Sequence, residues 1–366
     1  MISRQPLQDF LLSNRALWDH PGTRPAARKN FRKMIECRTA ALGMEVYASA
    51  TEEKFVFHTC KSRACPICGN RARLVWQDQI AASLPDIPYF GIGFTMPKEL
   101  WPIFQVNRHL LHDLPALAAA VIQGWVKLKY RARVLLLVMP HTFGAHLNFN
   151  CHLHILASAG GLKESEGQWV EVSYSKHPLM MMWKYAVITY LREALNANLL
   201  TYHLSPESLK QLLTAQHERD FWITKVSEMV SKTGFLMYVA RYLRRPPIAP
   251  RRIMQITDRV VRFNTKDKKL GPVTTEYSLA DFVQKLADQV PDDYRHQPRY
   301  FGLLAPNTRA RTSAAVMLLL GQKKRSRPKS PSWRSLIRRC YRKDPLLDSH
   351  NQQMHWLRRE KPRLQA

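Results

Sequence analysis

His152 and His154 stand one residue apart in Asn148-Phe-Asn-Cys-His-Leu-His-Ile-Leu156, a stretch that reads as a β-strand. Alternate residues of a strand share a face. The two imidazoles therefore sit side by side and can chelate one metal ion if a neighbouring strand adds a third ligand. On the strand alone, ordinary histidines with satisfied hydrogen bonds explain the pair equally well. Far along the chain, Tyr238 and Tyr242 lie at i and i+4 in a helix-compatible segment, so their hydroxyls leave from one helix face. Paired tyrosines on a helix are by default core or interface aromatics. Here Arg241, Arg244 and Arg245 crowd the same segment, and guanidinium groups recognise phosphate in bidentate fashion. Together these parts describe a phosphodiester site. A metal held by histidines polarises the phosphate and stabilises its extra charge. A tyrosine oxygen attacks phosphorus, leaving a covalent phosphotyrosine that conserves the bond for later rejoining. Two tyrosines permit two successive cleavages or strand transfers. Single-stranded DNA is the expected substrate, because a paired backbone is harder to thread into such a pocket.

A second metal-type pattern is His58-Thr-Cys60-Lys-Ser-Arg-Ala-Cys65-Pro-Ile-Cys68-Gly69. Cys65 and Cys68 form a zinc-knuckle turn that Gly69 completes, and Cys60 adds a third thiolate. The fourth ligand is open among His58, Cys37 and the carboxylate of Glu52 or Glu53. Taken alone, Cys37 is a small buried hydrophobe, and a knuckle held only by packing is the competing account. Lys61, Arg63, Arg71 and Arg73 around the turn suit a DNA-facing module in either case.

These sites need elements to hold them, and the bulk of the chain allows for them. Its 366 residues with 45% hydrophobic content can bury a substantial core. Lys and Arg number 56 against 28 Asp and Glu, a net charge of +28 with a pI near 10.2. Such a charge implies a polyanionic partner, nucleic acid before an anionic membrane. No apolar run long enough to span a bilayer and no signal-peptide pattern is present. The expected setting is therefore cytoplasmic, and the six cysteines read as metal ligands or free thiols rather than disulfides.

Residues 1 to about 45 read as helical and basic. Strands are expected at 89–96, at 133–139 and through His152 and His154, the last two as an antiparallel pair closed by Gly160-Gly161, with a further strand at 168–173. Helices are expected between 100 and 130, broken near Pro115, and from 176 to 217. Two more strands follow at 253–263 and 273–277, then helices at 279–290 and near 308–320. From 322 the chain reads as a solvated basic arm for nucleic acid. No Gly-rich phosphate loop with a lysine is present, so ATP chemistry is not indicated.

His152-Leu-His154 resembles the His-hydrophobic-His motif of the HUH endonucleases. Tyr238-Val-Ala-Arg-Tyr242-Leu-Arg-Arg-Pro-Pro-Ile resembles the two-tyrosine motif of rolling-circle transposases in the ninety-one and eight-oh-one group of bacterial insertion sequences. The Cys60–Cys68 segment, Phe143-Gly-Ala-His-Leu-Asn148 and Arg299-Tyr-Phe-Gly302 are similar to that family too, in its order and over nearly the whole chain. The resemblance implies an α+β protein with three parts: an N-terminal helical and zinc-knuckle module over 1–86, an HUH nuclease core of antiparallel sheet and packed helices over 87–320, and a basic tail over 321–366. It implies a transposase that nicks and rejoins single-stranded transposon ends through 5′-phosphotyrosine links, with Mg²⁺ or Mn²⁺ at the histidines and host replication or helicase machinery separating strands. Two departures stand out. Relatives carry an earlier Cys-x-x-Cys pair where this chain reads Tyr47-Ala-Ser-Ala-Thr-Glu-Glu53. Relatives also often have Gln where His141 precedes the Thr-Phe-Gly turn. His141 is the candidate third metal ligand; a turn histidine bonded to backbone is its alternative, and His146 is a weaker rival. Rival functions are a replication initiator or relaxase sharing the nuclease core, a non-catalytic DNA-binding relative, and a His-x-His zinc hydrolase, which lacks a following Asp-His.

Overall fold

A computed structural model describes residues 5–229, 231, 234, 248–267, 271–293, 298–323, 326 and 328–362. Tyr238, Tyr242, Arg241, Arg244 and Arg245 lie outside the described residues. The chain is α+β, and all its strand pairs are antiparallel among those residues. It opens with α1 (Pro6–Ser13) and α2 (Pro25–Ile35), followed by a hairpin of β1 (Met44–Ala48) and β2 (Glu53–Phe57), and then α3 (Pro66–Ser83). All three helices begin on proline, whose fixed φ suits the first helical turn, where its missing N–H costs nothing.

The central sheet starts at β3 (Tyr89–Thr95). After α4 (Trp101–Val106) and α5 (Leu114–Tyr130) come β4 (Arg133–Phe143), β5 (Phe149–Lys163) and β6 (Gln168–Glu171), then α6 (Lys176–Asn196), α7 (Pro206–Glu218) and β7 (Thr224–Met229). The expected helix break falls at Asn107, whose amide bonds back to the Ile103 carbonyl and across to that of Thr201; Pro115 sits in the first turn of the next helix. β5 is the spine, pairing with β3, β4 and β6. It runs on through Gly160-Gly161, where the expected strand closes. A side chain at Gly160 would collide with the Trp169 indole lying over it from β6, so that glycine admits a cross-strand aromatic rather than ending the strand.

Both faces of the sheet are apolar, which explains the near-continuous burial of Val134 to Met139. One face sets Ile92, Phe94, Leu136, Val138, Leu153 and Ile155 against α4, α5 and α6. There Phe94 stacks on Trp183 with centroids 4.9 Å apart, and the indole N–H donates to the Thr95 carbonyl at 2.7 Å. The other face sets Leu135, Leu137, Met139 and Leu156 against Trp76 and Ile80 of α3.

The remaining elements are β8 (Ile253–Ile256), β9 (Val260–Asp267), β10 (Gly271–Ser278), α8 (Leu279–Gln289), β11 (Arg299–Gly302), α9 (Pro306–Leu319), α10 (Trp333–Tyr341) and β12 (His355–Glu360). β8, β9 and β10 make a second sheet, and with α8 they share one apolar cluster with α1 and α2, through Phe10, Phe31, Phe263 and Phe282. Arg24 fastens this union, donating to the Ala287 and Val290 carbonyls and to Asp292. The N-terminal helices thus take their core from the far half of the chain, across the boundary expected at 86. The end of the chain also differs from the expected solvated arm. α10 packs on α3, and β12 completes a sheet in the order β12-β1-β2. A run of basic and aromatic residues hides this strand in the sequence; in the sheet, Glu45 of β1 sits directly opposite Arg359, an opposite-charge cross-strand pair that favours this pairing.

β11 covers the outer edge of β4, and Gly302 ends it with φ at 59°. A Cβ there would collide with the Val134 carbonyl oxygen. Gly302→Ala is therefore expected to cost roughly 1–3 kcal/mol, read as a lower urea midpoint with the same denaturant slope; an unchanged midpoint would contradict this close approach.

Candidate metal centres

In register, His141 of β4 faces His152 of β5, which in turn faces Thr95 of β3. One row along, Met139, His154, Gly93 and Lys225 lie side by side across β4, β5, β3 and β7. Opposed residues of an antiparallel pair share a face, as do alternate residues of one strand. His141, His152 and His154 therefore rise from the same face, just past Met139, where the α3-covered apolar cluster ends along β4. Their ring centroids are 4.8–5.4 Å apart, and one ring nitrogen from each lies within 4.8 Å of the others. His141 is thus a strand residue inside the cluster rather than a turn residue. His146 is directed elsewhere, bonded through Nδ1 to the Thr275 hydroxyl at 3.0 Å.

The protonation of the trio suits a metal. The Nδ1–H of His152 donates to the Asn150 carbonyl at 2.7 Å, which leaves its Nε2 lone pair for a ligand. Burial pushes His152 below the ordinary histidine range. Burial, followed by the charges of His152 and Lys225, pushes His154 down to about 3. At neutral pH both rings are neutral, the form that coordinates. Three half-buried imidazoles on one face fit a divalent ion that takes oxygen ligands at its remaining positions. Lys225 and Gly93 were not singled out from the sequence. Only the strand register reveals them: Lys225 is exposed on the histidine face, and Gly93 leaves the space beside His154 without a side chain.

The second centre is made of four thiols. Cys37 follows α2, Cys60 follows β2, and Cys65 and Cys68 open α3. The Sγ atoms of Cys37 and Cys68, Cys60 and Cys68, and Cys65 and Cys37 are each 3.7 Å apart, and all four lie within 4.8 Å of one another. Four sulfurs held about 2.3 Å from one tetrahedral ion would be about 3.8 Å apart, so the cluster already has the dimensions of a zinc site. The open choice of fourth ligand closes on Cys37, which is part of the cluster and not a lone packing residue. The other candidates are engaged elsewhere. His58 bonds to the Leu42 carbonyl and to Glu45 at 3.1 Å, Glu53 pairs with Arg358, and Glu52 accepts from Ser349. Cys37 was hard to single out because 22 residues separate it from Cys60, with no local motif to join them.

Each thiol conditions the next. The Cys37 thiol, then those of Cys60 and Cys65, hydrogen-bond to Cys68 and hold it far below the usual thiol range. Bonds to Cys37 and Cys68 push Cys60 well up, and bonds to Cys37, Cys60 and Cys68 do the same to Cys65. Bonds to Cys60 and Cys65 lower the Cys37 thiol as well; without a cation, negative charge therefore resists spreading to Cys60 and Cys65, a restraint that a divalent ion removes. Beside the cluster, Lys61 is exposed and Arg63 half-buried, and Arg71 donates to the Thr59 hydroxyl at 2.7 Å.

Comparison with known proteins agrees with the thiol cluster. Residues 136–312 match the family described as “Putative transposase”, and residues 10–96 match the “Transposase zinc-binding domain”. The chain is 31% identical over 316 residues to the transposase for insertion sequence element IS801 of Pseudomonas savastanoi pv. phaseolicola, covering 82% of this chain and 76% of that protein. It is 26% identical over 319 residues to y4qJ of Sinorhizobium fredii, which carries the same description as the first family, covering 82% and 80%. No solved structure matches. The zinc-domain match and the four-thiol geometry together support a structural zinc ion held by Cys37, Cys60, Cys65 and Cys68.

Metal analysis of purified variants tests this assignment. Cys37→Ser should lose bound zinc as fully as Cys65→Ser, whereas His58→Ala should retain it. Zinc retained in Cys37→Ser would return the fourth position to another residue.

Proposed function

The chain belongs to the IS91 and IS801 family of transposases, and on that premise we propose that it cleaves and rejoins single-stranded DNA at transposon ends through 5′-phosphotyrosine intermediates, in rolling-circle transposition. The observation that carries the reading is the His141, His152 and His154 cluster, three half-buried imidazoles on one sheet face, of which burial keeps His152 and His154 neutral. The fold around it, an antiparallel sheet with helices on both sides, accords with an HUH nuclease core. Tyr238 follows the end of β7 by nine residues of sequence. A segment of that length reaches at most about 30 Å, enough to return along the neighbouring strands to the histidines.

In the proposed reaction, the oxygen of Tyr238 or Tyr242 attacks the scissile phosphorus. The tyrosine gives up its hydroxyl proton as the Tyr–O–P bond forms, the P–O3′ bond breaks, and the departing 3′ oxygen takes up a proton in exchange. Rejoining is the reverse: a 3′-hydroxyl attacks the phosphotyrosine and frees the tyrosine. His141, His152 and His154 would hold Mg²⁺ or Mn²⁺, and such an ion supplies positive charge to the phosphate oxygens. Lys225, exposed on the same face close enough for its charge to depress His154, pairs with the phosphate from the β7 side. Arg241, Arg244 and Arg245, next to the tyrosines in sequence, grip the flanking backbone. DNA at transposon ends and targets is then the partner, with host machinery separating strands. No helix of the described residues is long and apolar enough to cross a membrane.

Incubation with a single-stranded oligonucleotide bearing the element's end and Mn²⁺ should yield a covalent protein–DNA adduct. Tyr238→Phe/Tyr242→Phe should abolish it, and an undiminished adduct would refute the tyrosine assignment. Removing the metal ligands, as in His152→Ala/His154→Ala, should slow cleavage by on the order of a hundredfold or more while DNA affinity stays close to that of the wild type. Affinity lost together with cleavage would mark the histidines as structural.

A further inference from the structure

On the side of the molecule that bears the zinc cluster, two hollows flank Trp333. They measure about 690 and 610 Å³, within the range of pockets that enclose a small ligand. The elements around them are remote in sequence: β1 and β2, the first two turns of α3, and the returning α10 and β12. Both hollows share Trp333, Val56, Phe57, Thr59 and Arg71.

Their chemistry is unlike that of an ordinary interior seam. Trp333 lies nearly parallel to Tyr47, with planes 13° apart and centroids 6.2 Å apart. Trp356, on the wall of the larger hollow, is 60% exposed, an unusual state for an indole unless something stacks on it. The two carboxylates on the walls are already answered. Glu45 accepts from Trp356 and Arg359 and pairs with His58, and Glu53 pairs with Arg358. Arg38 and Lys54 on the smaller hollow, Lys61 on the larger and Arg71 on both then leave the cleft with a surplus of positive charge. Flat aromatic faces beside surplus cations are what a strand of unpaired nucleotides requires: bases stack on the rings, phosphates meet the cations, and no particular sequence is demanded. A duplex, its bases stacked on each other, offers the cleft only its backbone.

We propose that this aromatic and basic cleft binds unpaired DNA nucleotides, with bases stacked on Trp333 and Trp356 and phosphates at Arg71, Lys61 and Arg38. It is a second DNA site, separate from the histidine face. The choice of DNA among polyanions rests on the transposase reading above. The cleft exists only because the end of the chain folds back, so the zinc-bearing segment and the C-terminal residues form one binding unit.

The full-length protein can be tested with an oligothymidylate of about 12 nucleotides, a length matched to such sites, followed by fluorescence anisotropy. The same oligomer carrying 5-iododeoxyuridine gives photocross-links that mass spectrometry maps. Trp333→Ala and Trp356→Ala should each weaken binding by on the order of tenfold, while Trp333→Phe and Trp356→Phe, which keep a stacking face, should restore most of it. Arg71→Gln should weaken binding and flatten its dependence on salt. Cross-links should fall in the peptides holding Tyr47, Trp333 or Trp356. Wild-type affinity in both alanine variants, phenylalanine variants as weak as alanine ones, tighter binding of a duplex of equal length, or cross-links confined to other peptides would each overturn the proposal. The two readings separate cleanly. A protein that binds through the cleft but forms no tyrosine adduct fails only the cleavage chemistry; one that forms the adduct while the tryptophan variants bind normally fails only the cleft.

Discussion

The register of β4 on β5 is the constraint on which the rest depends. His141 is paired opposite His152, and a slip of one residue would turn every side chain of one strand to the other face. The histidines would then point among α4, α5 and α6, where Phe94 and Trp183 now stack, and Leu153 and Ile155 would come out beside the site. The register is held by the same residues that form the core: Leu136 and Val138 on one side and Leu135, Leu137 and Met139 on the other. Precise placement of the polar trio is a by-product of apolar packing on both faces of the sheet, and β3 and β11 complete that packing along the two edges of the β4–β5 pair.

The two candidate metal centres solve one electrostatic problem in opposite ways. At the histidine face, burial removes protons, so that neutral rings wait for a cation without repelling it. At the thiol cluster, four sulfurs are drawn together so closely that they cannot all ionise unless a cation joins them. The first arrangement leaves one side open to exchangeable ligands. The second is closed by protein on all four corners and ties α2, β2 and α3 into one unit. One suits a reacting centre and the other a permanent clasp.

Much of this was legible in the sequence, and the gaps have physical causes. The strand through His152 and His154, its antiparallel partner, and the helix after Ser278 follow from short-range periodicity, which one strand or one turn of helix is enough to express. Cys37 could not be chosen over His58, Glu52 or Glu53, because nothing local joins a residue at the end of α2 to a knuckle at the start of α3; only the folded hairpin between them does. Lys225 and Gly93 belong to the histidine face through a register spanning four strands, which no window of sequence contains. Gly160-Gly161 looked like a stop, since the partner that demands glycine, Trp169, sits on another strand. The C-terminal arm was hidden by its own charge, which reads as solvation until Glu45 is placed across from Arg359.

The return of β12 to β1 has a consequence in time. Glu45 and the Trp356 indole that bonds to it are 311 residues apart. At ordinary rates of synthesis, roughly fifteen to sixty seconds separate their emergence from the ribosome. Throughout that interval the β1–β2 hairpin carries an uncovered edge with free backbone donors and acceptors, a template for pairing with any passing strand. Its proper occupant is made long after the hairpin itself. A growing polypeptide can therefore gather its thiols and pack its central sheet while its aromatic cleft is still half a wall short, and the arrival of β12 decides whether that edge is closed by its own chain or by a stranger.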